Sequence, residues 1–176
     1  KEIIKKLKES KRVAIIAHIS PDPDCMSSMT ALSCILEQFN KQTKMFVDCD
    51  KFRELMNFYN LPNNINDELN PSDFDTIVLV DLPQLSLMGK YASVIGKHNN
   101  IILIDHHASR NLEAQTKYID ASMSSCSEII FDIALKLKAK ITPRIASLIF
   151  AGLVGDTNCF ENDNTNEHSF YVAMEC

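Results

Sequence analysis

The chain contains no apolar stretch near the roughly 20 residues that a membrane helix needs. Its first twelve residues, Lys1 to Arg12, interleave Lys and Glu with scattered aliphatics. They hold no apolar h-region, so they do not read as a signal peptide, and a cytoplasmic address is expected. No Cys-x-x-Cys occurs either. Cys25, Cys34, Cys49, Cys126, Cys159 and Cys176 are scattered, are expected to be reduced, and argue against a zinc–thiolate site. Basic excess is also lacking. A net charge of −5 provides no sequence-wide field for duplex nucleic acid. A small phosphorylated substrate or a short strand end fits better, with bound cations offsetting part of the negative charge. Internal repeats and low-complexity tracts are absent.

What is present suits one ordinary domain. The 176 residues are 45% hydrophobic and 23% charged, enough for a real core. A first helix is expected over 1–9 and a first strand over 12–18. The Pro21-Asp22-Pro23-Asp24 turn opens a helix carrying Met29, Leu32, Leu36 and Phe39 at helical spacing. A second strand is expected over 44–47, then a short helix marked by Phe52, Leu55, Met56 and Tyr59, then an Asn-rich surface loop over 60–73. The run Ile77–Val80 leads to Asp81, and a helix with Leu87, Met88, Tyr91 and Ile95 follows. After Asn99-Asn100, the run Ile101–Ile104 leads to Asp105-His106-His107. A loop, a helix around Ile129–Leu137, and a helix started by Thr142-Pro143 complete the order. The last helix closes on Gly152, Gly155 and Asp156, and a further one begins near Thr165. The alternation of strands and helices predicts an α/β fold with a doubly wound, mostly parallel sheet. The chain starts without Met and stops inside that last helix, so a fragment of something longer is expected.

Three apolar runs end in groups able to hold a metal. Val13–Ala17 runs into His18, with Asp22 and Asp24 close behind. The other two end at Asp81 and at Asp105-His106-His107. Short β-branched runs read as buried parallel strands, and ligands bind outside the carboxyl ends of such strands. Any one of these residues alone has an ordinary structural reading: Asp81 as a helix cap, Asp156 as a turn residue, Asp-His-His as a polar strand end. Their joint placement favours chemistry. One Asp81 carboxylate can bridge two cations, and His106 and Asp156 can complete the ligand set of the second cation. Mixed oxygen and imidazole donors suit Mn2+ or a similar ion. Two such ions acidify a shared water and stabilise charge on a phosphoryl oxygen.

The same residues resemble the DHH phosphoesterase family. His18-Ile19-Ser20-Pro21-Asp22-Pro23-Asp24 is similar to its first motif, Asp81 to its second, Asp105-His106-His107 to its third, and Gly155-Asp156-Thr157 with Phe160 to its fourth. The stretch Ser124–Ile130 resembles a segment that follows the third motif. Four motifs in order cover nearly the whole chain. The resemblance implies two Mn2+ ions, with Mg2+ or Co2+ as substitutes. His18 and Asp22 would bind one, Asp24, His106 and Asp156 the other, and Asp81 would bridge them. His107 and Asp105 would be catalytic, His107 contacting the phosphate or protonating the leaving oxygen and Asp105 orienting a neighbouring histidine. The attacking group would be a bridging hydroxide. Arg110 is a weaker candidate for substrate contact.

The family often has Gly-Asp-Ala where this chain has Pro23-Asp24-Cys25, which puts a thiol beside the site. Members of the oligoribonuclease type carry a second, glycine-rich substrate-binding domain, and no such segment is found here. The resemblance therefore implies a catalytic domain over 1–160 and the start of an interdomain linker helix over 161–176. The implied substrates are short oligoribonucleotides, cyclic dinucleotides or adenosine bisphosphate. A phosphoanhydride hydrolase (pyrophosphatase or exopolyphosphatase) is the alternative, and a degenerate, non-catalytic binding domain ranks below both. No membrane partner is expected. A homodimer stays open, since no dimer surface stands out.

Overall fold

A computed structural model describes residues 1–58, 68–96, 98–108 and 112–176. Helix α1 (Glu2–Glu9) buries Ile3 and Leu7 and delivers the chain to β1 (Arg12–Ile16). Successive strand side chains point to opposite faces, so Val13 and Ile15 enter one core while Ala14 and Ile16 enter another. A strand covered on both faces must be apolar throughout, as β3 (Thr76–Val80) and β4 (Ile101–Asp105) nearly are. The remaining strands are β2 (Gln42–Phe46) and β5 (Thr116–Ile119). All neighbours pair in parallel, in the order β2-β1-β3-β4-β5. The expected doubly wound sheet is thus wholly parallel among the described residues. Its order reverses between β1 and β3, the place where open α/β sheets bind ligands.

The two faces are covered unequally. On one side, α2 (Pro23–Glu37), α5 (Cys126–Leu137) and α6 (Pro143–Asp156) pack against each other around Met29, Leu32, Ile130 and Ile149. Helices α3 (Phe52–Phe58) and α7 (Glu167–Glu175) add Phe52, Met56 and Val172 to that core. Among the described residues, the other side is covered by a 3-10 segment, Leu85–Tyr91, and the short α4 (Ala92–Ile95), which bring Met88, Tyr91 and Ile95 over Ile77, Leu79 and Leu103. None of the described helices is long and apolar enough to cross a membrane.

Several boundaries differ from expectation. Strand β1 ends at Ile16, so His18 stands two residues beyond it rather than on it. Strand β2 begins two residues before Lys44. The stretch over 85–91 is 3-10 rather than α because Gly89 breaks it with φ 59°. There the Lys90 amide donates to Asp48 Oδ2 at 2.8 Å, and a Cβ on Gly89 would stand 2.7 Å from Asp48 Cβ. Strand β5 replaces part of an expected loop. The last helix starts at Glu167, capped by Asn166. Pro71–Asp73 form a 3-10 turn within the expected surface loop. Tyr59 and residues 60–67 of that loop lie outside the described residues.

Candidate metal centre

Three strands adjacent in the sheet, β1, β3 and β4, deliver polar residues to one edge. His18 follows β1, Asp81 is the first residue past β3, and Asp105 ends β4 with His106 and His107 behind it. Helix termini supply the rest. Asp22 caps α2, Asp24 lies in its first turn, and Asp156 is the last residue of α6.

Asp81 is at the middle, only 2% exposed. Its Oδ2 lies 3.5 Å from His18 Nε2, and its Oδ1 lies 3.6 Å from both His106 Nε2 and His107 Nδ1. The two oxygens therefore face histidines from the segments that follow two different strands, β1 and β4. Oδ1 accepts no hydrogen bond although it is buried. Its backbone has φ 52°, a left-handed conformation costly for a residue with a Cβ, while its amide donates to the Ile104 carbonyl at 3.0 Å.

His106 faces the second acidic cluster. Its Nε2 comes within 3.1 Å of Asp156 Oδ2 yet makes no hydrogen bond, and its Nδ1 sits 3.4 Å from the Met123 carbonyl. Only a protonated nitrogen can donate to a carbonyl, so Nδ1 carries a hydrogen and Nε2 is the nitrogen aimed at the acids, free to bind a cation once it gives up its own proton. Neighbouring His107 is 44% exposed at its side chain; its Nδ1 is 2.8 Å from Asp105 Oδ1, and its amide donates to the same oxygen at 3.2 Å.

Asp24 is fully buried and held from across the fold. Its Oδ2 accepts from the Cys126 amide at 2.6 Å; its Oδ1 accepts from the Ser127 amide at 3.0 Å, from Ser28 Oγ at 3.2 Å, and from Ser127 Oγ. Those amides begin α5, where the helix dipole favours a negative charge. A capping box, Ser125 with Glu128, fixes that helix start. Helix α6 can approach this cradle because position 152 is glycine. A Cβ there would collide with Ser127 Oγ and stand 2.6 Å from Asp24 Oδ1. Asp22 Oδ1 accepts from the Cys25 amide at 2.9 Å, while its Oδ2 points toward His18 Nε2 at 3.6 Å.

Electrostatics reflect this crowding. Burial, then the charges of Asp81 and Asp156, push the Asp24 carboxyl up to about 7. Asp81 is raised mainly by burial. Burial opposes charge on His18, but Asp22 and Asp81 outweigh it and push the imidazole up to about 12. The same contest at His106, decided by Asp156, Asp24 and Asp81, gives about 9. Asp105 raises His107, and His18 keeps Asp22 low against the effect of burial. Buried acids this close demand positive charge nearby.

Among the described residues, three donor groups meet the spacing a cation needs, with ligand atoms within 4.8 Å of one another: His18, Cys25 and Asp81; Asp81, His106 and His107; Asp24, His106 and Asp156. The donor chemistry fits a divalent ion, and the orphaned Asp81 Oδ1 and His106 Nε2 are the atoms such an ion would satisfy. Of the residues expected from sequence, the structure gathers His18, Asp22, Asp24, Asp81, Asp105, His106, His107 and Asp156; Arg110 lies outside the described residues. Sequence reasoning did not foresee the Cys126–Ser127 amide cradle, Ser28, or the Met123 carbonyl. The Ser124–Ile130 stretch stood out by its resemblance to a family segment, but the helix start it forms and the carboxylate it holds did not.

Comparison with known proteins agrees with this architecture. The chain is 29% identical over 99% of its length to the probable bifunctional oligoribonuclease and PAP phosphatase NrnA of Streptococcus mutans, of which it covers 55%. Against the bifunctional oligoribonuclease and PAP phosphatase NrnA of Bacillus subtilis it is 27% identical over 99% of its length, covering 55%. It thus spans about half the length of these curated relatives. Among solved structures, an exopolyphosphatase-related protein from Bacteroides fragilis superposes with a TM-score of 0.82 at 19% identity, over 99% of this chain and 54% of that one. RecJ from Thermus thermophilus, in complex with Mn2+, superposes with a TM-score of 0.56 at 13% identity, over 89% of this chain and 24% of that one. These two likenesses establish a shared fold. The model of the DHH family's N-terminal domain matches residues 12–153, which is most of the chain, and the protein therefore belongs to the DHH family.

Proposed function

We propose that this chain is the catalytic domain of a divalent-metal phosphoesterase acting on short oligoribonucleotides or adenosine bisphosphate. Residues 1–160 form that domain, and 161–176 open a linker toward a substrate-binding second domain. The observation that carries the reading is Asp81, a buried carboxylate whose two oxygens face His18 on one side and His106 on the other. In this reading His18, Asp22 and Asp81 hold one ion; Asp24, Asp81, His106 and Asp156 hold the other. Mn2+ suits the imidazole and carboxylate donors, with Mg2+ or Co2+ as substitutes. When bound, the ions supply Lewis acidity toward a phosphoryl oxygen and a water acidic enough to attack near neutral pH.

The chain's own residues do the rest. Asp105 accepts from His107 Nδ1 and raises the imidazole toward its charged form, in which the half-exposed ring can bind a phosphate oxygen and give its Nε2 proton to the leaving oxygen. The amides of Cys126 and Ser127 fix Asp24 against the repulsion of its neighbours. The NrnA relatives, by their names an oligoribonuclease and PAP phosphatase, support the substrate class.

The test is hydrolysis by the full-length protein with Mn2+, offered a dinucleotide, adenosine 3′,5′-bisphosphate and pyrophosphate. Cleavage of the first two, abolished by Asp81→Asn, is expected. Cleavage of pyrophosphate alone would replace the diester reading with the anhydride one, and no hydrolysis with any divalent ion would end both.

A further inference from the structure

We propose that Cys25 Sγ is an additional ligand of the ion held by His18, Asp22 and Asp81, and that this gives one of the two positions a preference for softer cations. The inference rests on the two-ion reading above. Cys25 sits in the first turn of α2, where the Asp22 carboxylate accepts its amide hydrogen at 2.9 Å and so holds it over the edge of the sheet. Its sulfur is one of three donor atoms, with a His18 ring nitrogen and an Asp81 oxygen, that all lie within 4.8 Å of one another. The third partner, Asp81, is itself nearly fully buried, and its Oδ2 faces His18 Nε2 at 3.5 Å. The thiol is completely shielded from solvent. Cys126, equally buried, makes a useful contrast: its sulfur is turned to the Ile104 carbonyl at 3.6 Å and belongs to none of the donor groups.

The chemistry is ligand exchange. The Cys25 S–H bond breaks, its proton leaves to solvent, and a sulfur–metal bond forms with no change in oxidation state. A coordinating thiol gives up its proton outright. Thiolate is a soft donor, so it raises affinity for Zn2+, Co2+ or Cd2+ more than for Mn2+. The two positions would then differ in kind: one with sulfur, imidazole and carboxylate, the other with imidazole and carboxylates only. A mixed-metal centre follows from that asymmetry.

Cobalt provides a readout that does not depend on turnover. The full-length protein is loaded with Co2+, its metal content measured, and its near-ultraviolet absorption recorded for the sulfur-to-cobalt charge-transfer band. The expected result is a band in the wild type that disappears in Cys25→Ser and Cys25→Ala while cobalt remains bound. The Zn2+-to-Mn2+ affinity ratio should fall by about tenfold or more in the same variants, the scale on which altered metal surroundings act. Bound cobalt without the band in the wild type, or a band unchanged by both substitutions, would overturn the proposal. The wild-type spectrum decides even if a variant fails to fold. A wild type that binds no cobalt at all would overturn this proposal and the two-ion reading together, which separates the two failures.

Discussion

His106 Nδ1 lies 3.4 Å from the Met123 carbonyl, and that contact decides which nitrogen of the ring faces the acids. The loop before α5 thereby reaches into the candidate centre. It sets a tautomer on one side, and α5 itself sets a carboxylate, Asp24, on the other.

Asp81→Asn keeps the shape of the side chain and removes its charge. Both candidate ions share this residue, so metal content should fall at two positions rather than one. Hydrolysis should fall by at least on the order of a hundred- to a thousand-fold, the range seen when one preorganised electrostatic group is lost. Metal analysis of the purified variant, alongside its rate, checks this. Two ions retained at full occupancy would refute the bridge.

Asp105→Asn tests the orientation of His107. The 2.8 Å contact raises the histidine, so its loss should lower the midpoint of the His107 ring in an NMR titration of the metal-free protein. Activity should drop about 10–100-fold, as when a histidine loses its supporting carboxylate. A His107 midpoint unmoved by the substitution would show that Asp105 does not govern it.

Gly152→Ala places a methyl group against Ser127 Oγ and Asp24 Oδ1. Helix α6 would have to move away from α2 and α5, at a cost of about 1–3 kcal/mol by analogy with overpacked cores. Denaturant unfolding should register the loss, and metal affinity should fall with it because Asp24 is displaced. Unchanged affinity in a folded variant would separate the cradle from the centre.

Metal binding should release protons at pH 7. Without ions, His18 is pushed up to about 12 and His106 to about 9, so both are charged and must lose a proton to act as ligands. Calorimetry in buffers of different ionisation enthalpy measures the number released, which should fall as pH rises through about 9. The linkage for the metal-free protein has a definite sign. Both histidines titrate higher folded than unfolded, so their stabilisation is full below an ordinary histidine value near 6.5 and is lost as pH rises, through about 9 for His106 and about 12 for His18. Asp24, raised to about 7, acts in the same direction: its contribution is full below the ordinary value of 3.8 and disappears as pH rises through about 7. The metal-free protein should therefore melt at lower temperature at pH 9 than at pH 6. A flat or rising profile would contradict this.

Much of the fold was legible because the inner strands carry their own signature. Strands β1, β3 and β4 are covered on both faces, so nearly every residue is apolar and the polar group that ends each run stands out. Strand β5 lies at the edge, where Lys117 is exposed and the run Thr-Lys-Tyr-Ile has no continuous apolar signal. The break at Gly89 was hidden for a different reason. It depends on Asp48, 41 residues earlier, which no local pattern reports. The candidate donors were visible as residue types at strand ends. Their supports were not, since the Asp24 cradle joins segments 102 and 103 residues apart. Chemistry concentrates in side chains that sequence displays, whereas the groups that hold them are often backbone amides and carbonyls that every residue possesses.

The left-handed backbone at position 81 sets stability and chemistry against each other. Glycine adopts that conformation freely, and the left-handed form costs other residues roughly 1–2 kcal/mol. Asp81→Gly should thus fold more stably than Asp81→Ala, although both lack the carboxylate; equal melting temperatures would remove the inference. The carboxylate that would bridge the two proposed ions thus sits on the one residue of the candidate centre whose backbone glycine would suit better.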